Sequence, residues 1–175
     1  MVNICDKHKL NFIGDADSSL CKSWYEKQDA LPYKESSLPI LKRNAYNFFR
    51  NISKATADEA LWTTFKDYRD KIKGKGFANS FLECNSRATN EHIHKNKLAY
   101  CMNRFENPLY VKFFEKRGIS INQDKLACSE MLQWIFRSQI REGKPIDIYI
   151  PSKRMRNLLI DWLNCKDVTL AQAGC

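Results

Sequence analysis

The sequence lacks the glycine-rich motifs that bind nucleotide phosphates in most ATP-using enzymes. Neither G-x-x-x-x-G-K-[ST] nor G-x-G-x-x-G occurs among its 175 residues. The glycine turn at 74–76 is too short for a phosphate loop, and no predicted strand ends in the paired acidic residues that hold magnesium for nucleotide hydrolysis. We therefore expect no autonomous ATP hydrolysis and no cofactor.

The seven cysteines lack the spacing of a zinc site or of a disulfide framework. Zinc ligands are normally paired as C-x2-4-C or H-x3-5-H, and neither pair occurs. Several cysteines instead lie in apolar runs, which is typical of buried thiols. These features predict no metal site and a reducing, cytoplasmic compartment.

Long apolar runs are also missing. No segment approaches the roughly 18–20 residues that cross a membrane as a helix. Residues 1–12 contain no apolar stretch of the kind found in signal peptides. The sequence therefore predicts neither a membrane partner nor secretion, while its 43% hydrophobic content suits an ordinary globular core.

Positive charge, by contrast, is abundant. The chain carries 29 lysines and arginines against 20 acidic residues, a net charge of +9. Such a balance favours a polyanionic partner, most simply nucleic acid. The alternative is a solvated basic surface whose side chains form only weak ion pairs.

The chain divides into a mostly helical section at 1–73 and an α/β section at 74–165. A tail at 166–175 is expected to be frayed. In the second section helices alternate with three predicted strands, at 77–84, 97–105 and 145–151. That alternation predicts an α/β fold in which a small parallel sheet carries flanking helices.

Within the first section a short strand is expected at 11–13 and a helix at 20–28. Pro39 suits the first turn of a second helix, over 38–52. Thr56 and Glu59 match the capping-box pattern, which predicts a third helix over 60–73.

The clearest segment of the chain, residues 129–162, has the pattern helix, buried strand, helix. The first helix is expected to end at Gly143, and Ser152 is expected to cap the second. Polar residues at offsets 0, 3, 7 and 11 share one face of the first helix: Glu130, Gln133, Arg137 and Arg141.

A nucleic-acid-binding surface is predicted where the loops after the strands gather. Ligands of open parallel sheets collect at the carboxyl ends of the strands. A helix N-terminus adds free N–H groups and the positive end of a dipole, both of which favour phosphate. The residues predicted to contact nucleic acid are Arg87, Thr89, Asn90, Gln133, Arg137, Arg141, Lys153, Arg154 and Arg156.

Over residues 77–163 the chain resembles the second RecA-like lobe of superfamily-two (DEAD/DEAH-type) helicases, especially those of phages and mobile elements. The family pattern Q-x-x-G-R-x-x-R corresponds to Gln133, Phe136, Arg137 and Arg141. Phe136 replaces the glycine, and the second arginine comes one residue late. The segment FLECNSRATNE, at 81–91, corresponds to the strand and loop that contact nucleic acid.

The resemblance implies a detached helicase lobe and not a working motor. No segment corresponds to the first lobe, which carries the phosphate loop and the acidic magnesium motif. In such a lobe Arg137 and Arg141 would act only on a nucleotide presented by another domain.

A protein-binding role is the alternative function that the sequence leaves open. An inhibitor or accessory factor of phage or mobile-element origin would direct its basic surface at the acidic surface of a host nucleic-acid enzyme. Aromatic side chains such as Trp24, Phe48 and Trp62 are candidate interface anchors. A hydrolase or nuclease activity has no motif to support it.

Overall fold

Four short strands form one parallel sheet at the centre of the fold. The structure, a computed structural model, describes residues 1–86 and 90–172, with side chains through residue 165. The strands are β1 Val2–Ile4, β2 Ala60–Thr63, β3 Lys97–Tyr100 and β4 Ile146–Tyr149. They lie in the order β1-β4-β3-β2. The predicted α/β class and parallel sheet are confirmed.

Helices cover both faces of the sheet. Short 3₁₀ or π segments follow or precede several of them, at 12–14, 48–52, 66–68 and 139–142. The α-helices are α1 His8–Asn11, α2 Lys22–Asp29, α3 Leu38–Asn47, α4 Arg69–Ile72, α5 Pro108–Glu115, α6 Gln123–Ile135 and α7 Lys153–Gln172.

The sheet separates two hydrophobic cores, because successive side chains of each strand point to opposite faces. Trp62, Ala99 and Tyr149 pack on the face covered by α1–α4. Leu98 and Ile148 point to the opposite face, which α6 and α7 cover. Because both faces are covered, the strands are buried on each side, as is usual for parallel sheets.

Residues 1–73 are mostly helical, as predicted, but the prediction lacked two strands. This section contributes β1 and β2 to the same sheet that holds β3 and β4. Residues 60–63, predicted as the start of a helix, form β2 and are fully buried. The strand expected at 11–13 is also wrong, because those residues end α1 and enter a 3₁₀ turn. The helices predicted at 20–28 and 38–52 match α2 and α3 with its π-helical extension.

The strand predicted at 77–84 is likewise not formed. This segment makes a single parallel bridge to β2, between Phe81 and Trp62. Two backbone hydrogen bonds, from Trp62 N to Ser80 O at 3.0 Å and from Leu82 N to Trp62 O at 2.9 Å, support the bridge. The helicase resemblance assigned a strand to this segment, and the RecA-like lobe is not confirmed. The strands predicted at 97–105 and 145–151 are confirmed in shorter form as β3 and β4.

The predicted helix–strand–helix segment is present with altered bounds. Its first helix, α6, ends at Ile135, so Arg137 and Arg141 lie beyond it and do not share its face. Ser152 caps α7 as expected, because its Oγ accepts a hydrogen bond from Met155 N at 3.3 Å. Helix α7 continues to Gln172, past the start of the tail expected to be frayed, and residues 173–175 lie outside the described part.

Candidate nucleic-acid interface

A cavity of about 390 Å³ lies at the carboxyl ends of β2 and β3. The segments that follow the two strands supply one wall, and α6 with the 83–86 segment supplies the other. This is the edge at which open parallel sheets bind ligands. Its charged and amide lining residues are Lys66, Glu83, Asn85, Arg104, Glu130, Gln133 and Arg137.

Arg104 is fixed in the cavity wall by a bidentate ion pair with Glu130. Its Nε lies 2.6 Å from Glu130 Oε2, and its Nη2 lies 3.1 Å from Oε1. The hydrogen bonds to Glu130 raise the pKa of the Arg104 guanidinium. The pair thus holds the Arg104 guanidinium in one orientation at the end of β3, with the charge of Glu130 balancing its own.

Lys66 is the most solvent-exposed cation of the cavity. Its side chain is 75% exposed and its Nζ lies 3.0 Å from Glu83 Oε1. An exposed ion pair of this kind is weak. Lys66 can therefore exchange its partner for an incoming phosphate at little cost.

Arg137 and Arg141 bind two residues of the segment after β2, Ser86 and Asn90. Arg137 Nη1 donates to Ser86 Oγ at 3.0 Å, and its Nη2 donates to the Ser86 carbonyl. Arg141 Nη1 donates to Asn90 Oδ1 at 3.0 Å. Gln133 and Arg137 thus lie in the cavity wall, and Arg141 and Asn90 meet beside it. The predicted site residues Arg87 and Thr89 lie outside the described residues.

Arg154, on α7, connects this helix to α6 and to the segment after β3. Its Nη2 lies 2.6 Å from Asp124 Oδ1 on α6. Its Nη1 donates to Asn103 Oδ1 and to the Arg104 carbonyl, each at 2.8 Å, in the segment after β3. The guanidinium also lies over the Phe105 ring, 4.1 Å from its centroid. With these partners Arg154 positions the segment that carries Arg104.

The other two basic residues at the start of α7 differ sharply in exposure. Arg156 is buried and donates to the carbonyls of Ile150 at 2.8 Å and Pro151 at 3.2 Å. Lys153 is exposed. Of the three cations predicted to bind phosphate at this helix N-terminus, Lys153 is thus the most exposed to solvent.

Sequence analysis missed Lys66 as a site residue. It expected an arginine-bearing loop at 104–108 near a strand end but did not count Arg104 among the site residues. Lys66 follows β2, a strand whose sequence was interpreted as helix. Arg104 was placed inside the predicted strand at 97–105, whereas β3 ends at Tyr100. A correct strand assignment would have put both residues directly after strand ends.

Cys84 lies in the same cavity but is a poor nucleophile. Burial raises the pKa of its thiol, and the nearby Tyr100 hydroxyl lies 3.6 Å from its Sγ. A thiol with a raised pKa is protonated at neutral pH and reacts slowly. Among the described residues no group of three or more histidine, cysteine or acidic side chains is arranged to hold a metal ion. Over that same part of the chain, none of the helices is both long enough and apolar enough to cross a membrane.

Comparison with known proteins gives a family match over nearly the whole chain. A family model described as the YonV C-terminal Rossmann-like domain matches residues 1–163. The chain is 49% identical over 154 residues to an uncharacterized SPbeta prophage-derived protein, YonV, of Bacillus subtilis (strain 168). That alignment covers 88% of this chain and 36% of the relative, so the chain spans little more than a third of its length. No solved structure matches. The prophage relative supports the phage origin that the sequence predicts.

Proposed function

The chain belongs to the family of the YonV C-terminal Rossmann-like domain, and from this premise we propose that it binds nucleic acid at the carboxyl edge of its sheet. The observation that carries the proposal is the convergence of Lys66, Arg104 and Arg137 on one cavity from three different segments. Phosphate groups are the ligands that lysine and arginine recognise most strongly in such clefts.

The cations of this edge have two separate tasks in the proposal. Lys66 and Lys153 are exposed and supply direct phosphate contacts. Arg137, Arg141 and Arg154 bind protein groups and keep the loops in place. Arg104 belongs to both sets, since it is fixed by Glu130 and still lines the cavity.

The finer version of the proposal is a detached helicase-like second lobe without its own ATPase activity. Gln133 and Arg137 keep the spacing of the helicase pattern and lie on the cavity wall. In this version Arg137 approaches a nucleotide only when another domain presents it. The prophage relative is more than twice as long as this chain, so it is long enough to contain such a domain.

Charge reversal at single lysines tests the proposal. Lys66→Glu and Lys153→Glu are expected to weaken binding of a labelled oligonucleotide at low salt, measured by fluorescence anisotropy. Lys144→Glu is the matched control, because Lys144 also forms an exposed pair with a glutamate, Glu142, but at the opposite edge of the sheet, before β4. If all three variants bind like the wild type, the carboxyl edge is not the interface.

A protein-binding role keeps one specific observation in its favour. Helix α5 has no buried residue, and it exposes four large apolar side chains: Leu109, Tyr110, Phe113 and Phe114. Of the aromatic anchors that the sequence suggested, Phe48 and Trp62 are core residues and do not serve this role, whereas Trp24 is half-buried. Retention of a host protein after nuclease treatment, and its loss in Leu109→Glu, would support this second candidate.

A further inference from the structure

A second basic surface lies on the face of the fold covered by α3, away from the carboxyl-edge cavity. It is a groove of about 560 Å³ between α3, the loop before it and the turn at 73–76. Lys42 and Tyr46, at i and i+4, lie on the solvent side of α3, while Leu41 and Ala45 are buried in the core. Gly76, with a φ of 92°, allows the tight turn that carries Lys75 to the groove wall.

Among the described residues, four cations and no carboxylate line the groove. The cations are Lys34, Lys42, Arg43 and Lys75. In the described part of the chain no ion pair joins any of these four to an acidic side chain. This differs from the carboxyl edge, where Arg104 and Arg154 are each paired with a carboxylate. Four like charges on one concave surface repel one another and are neutralised best by an external polyanion.

Two tyrosine rings lie among these cations. Tyr33 is 80% exposed and Tyr46 is 40% exposed, and both line the groove. Exposed aromatic rings interleaved with cations are the arrangement with which proteins bind single strands, because each base can stack on a ring while its phosphate meets a cation. A duplex hides its bases and gains nothing from exposed rings.

We propose that the α3 groove binds single-stranded nucleic acid, with phosphates on Lys34, Lys42, Arg43 and Lys75 and bases stacked on Tyr33 and Tyr46. The inference rests on the proposed affinity for nucleic acid but not on the carboxyl-edge cavity. It also names the ligand class, which is single-stranded DNA or RNA.

The test measures anisotropy of labelled oligothymidine, oligouridine and a blunt DNA duplex of equal length with the full chain. At least one of the single strands is expected to bind more tightly than the duplex. Tyr33→Ala is expected to weaken single-strand binding roughly 5- to 100-fold, while Tyr33→Phe, which keeps the ring, binds like the wild type. Lys42→Ala combined with Arg43→Ala is expected to reduce the slope of log affinity against log salt by about 1.4.

The controls separate this inference from the proposed function. Tyr110→Ala removes a tyrosine that is 61% exposed on α5, outside the groove, and is expected to leave the preference for single strands over the duplex unchanged. Circular dichroism confirms that each variant is folded. The inference is overturned if Tyr33→Ala and Tyr46→Ala bind as tightly as the wild type, or if the duplex binds as well as both single strands. If only Lys66→Glu and Lys153→Glu weaken binding, the proposed function stands and the groove proposal is overturned.

Discussion

Arg104 and Glu130 lie opposite each other across the carboxyl-edge cavity and form two parallel hydrogen bonds, at 2.6 and 3.1 Å. Arg104 comes from the segment after β3, and Glu130 lies on α6, 26 residues later. The pair therefore ties the cavity's two walls together.

Removal of the negative charge from this pair is expected to destabilise the protein only slightly. Both side chains are about one-third exposed, so solvent weakens the pair, and we expect Glu130→Gln to lower the free energy of unfolding by about 1 kcal/mol. Urea denaturation measures this change. A loss of several kcal/mol would contradict the account, since it would mean that the pair is more deeply desolvated than its exposure indicates.

Gly14 is predicted to be irreplaceable because of its contact with the β4–α7 connection. A Cβ at this position would lie 2.0 Å from Pro151 O, a backbone atom that cannot rotate away. Gly14→Ala is expected to cost about 3 kcal/mol or more, measured by urea denaturation.

Gly143→Ala is the control for that substitution. Gly143 has open space around it and a φ of 73°, so only backbone strain of about 1 kcal/mol is expected. If the two alanine variants are equally stable, the close approach of Gly14 to Pro151 is wrong.

The fold class followed from sequence, but β2 did not, for a reason visible in Thr56 and Glu59. Their reciprocal hydrogen bonds form as a capping box would, with Thr56 N to Glu59 Oε2 at 2.9 Å and Glu59 N to Thr56 Oγ1 at 3.3 Å. A strand follows them because residues 60–63 are buried on both faces of a parallel sheet, which is a tertiary effect. Local pattern cannot report which elements pack around a segment.

Gln133 and Arg137 line a cavity at the carboxyl edge, where the sequence predicted a binding surface. Their contact with nucleic acid stays a prediction. The partners that occupy the arginines are remote in sequence, for example Asp124, 30 residues from Arg154, and Ser86, 51 residues from Arg137. Such pairs depend on the folded arrangement, so the exposed Lys153 and the buried Arg156 could not be told apart from sequence.

Asp147 should give the protein a stability that is lost in acid. Partial burial raises the pKa of this carboxyl, but hydrogen bonds from Lys97 on β3 and Asn3 on β1 outweigh that effect and lower it overall. A lowered pKa in the folded state means that the stabilisation is complete above the unfolded value of about 4 and falls as the pH drops below it.

The comparison with Asp147→Asn isolates this effect. The wild type is expected to be more stable than Asp147→Asn at neutral pH, and the difference should shrink as the pH falls below about 4. Urea denaturation at a series of pH values measures it. A difference that is constant with pH would exclude the ionised pair.

Cys101 is expected to resist alkylation until the protein unfolds. Complete burial raises the pKa of its thiol to about 12, so almost no thiolate is present at pH 8, and reagent cannot reach it. Mass spectrometry after iodoacetamide treatment should show Cys101 unmodified in the native protein and modified in urea. Modification of Cys101 in the native state as rapid as that of the exposed Cys165 would contradict the buried position.

Binding of oligonucleotides to the wild-type chain across a salt series tests the central claim most directly. If the basic surfaces neutralise phosphates, log affinity falls linearly with log salt concentration, with a slope of about −0.7 for each phosphate of a single strand and about −0.9 for each phosphate of duplex DNA. The account predicts measurable binding at low salt and a slope of magnitude 2 or more. Absence of binding at low salt, or affinity that does not change with salt, would contradict it.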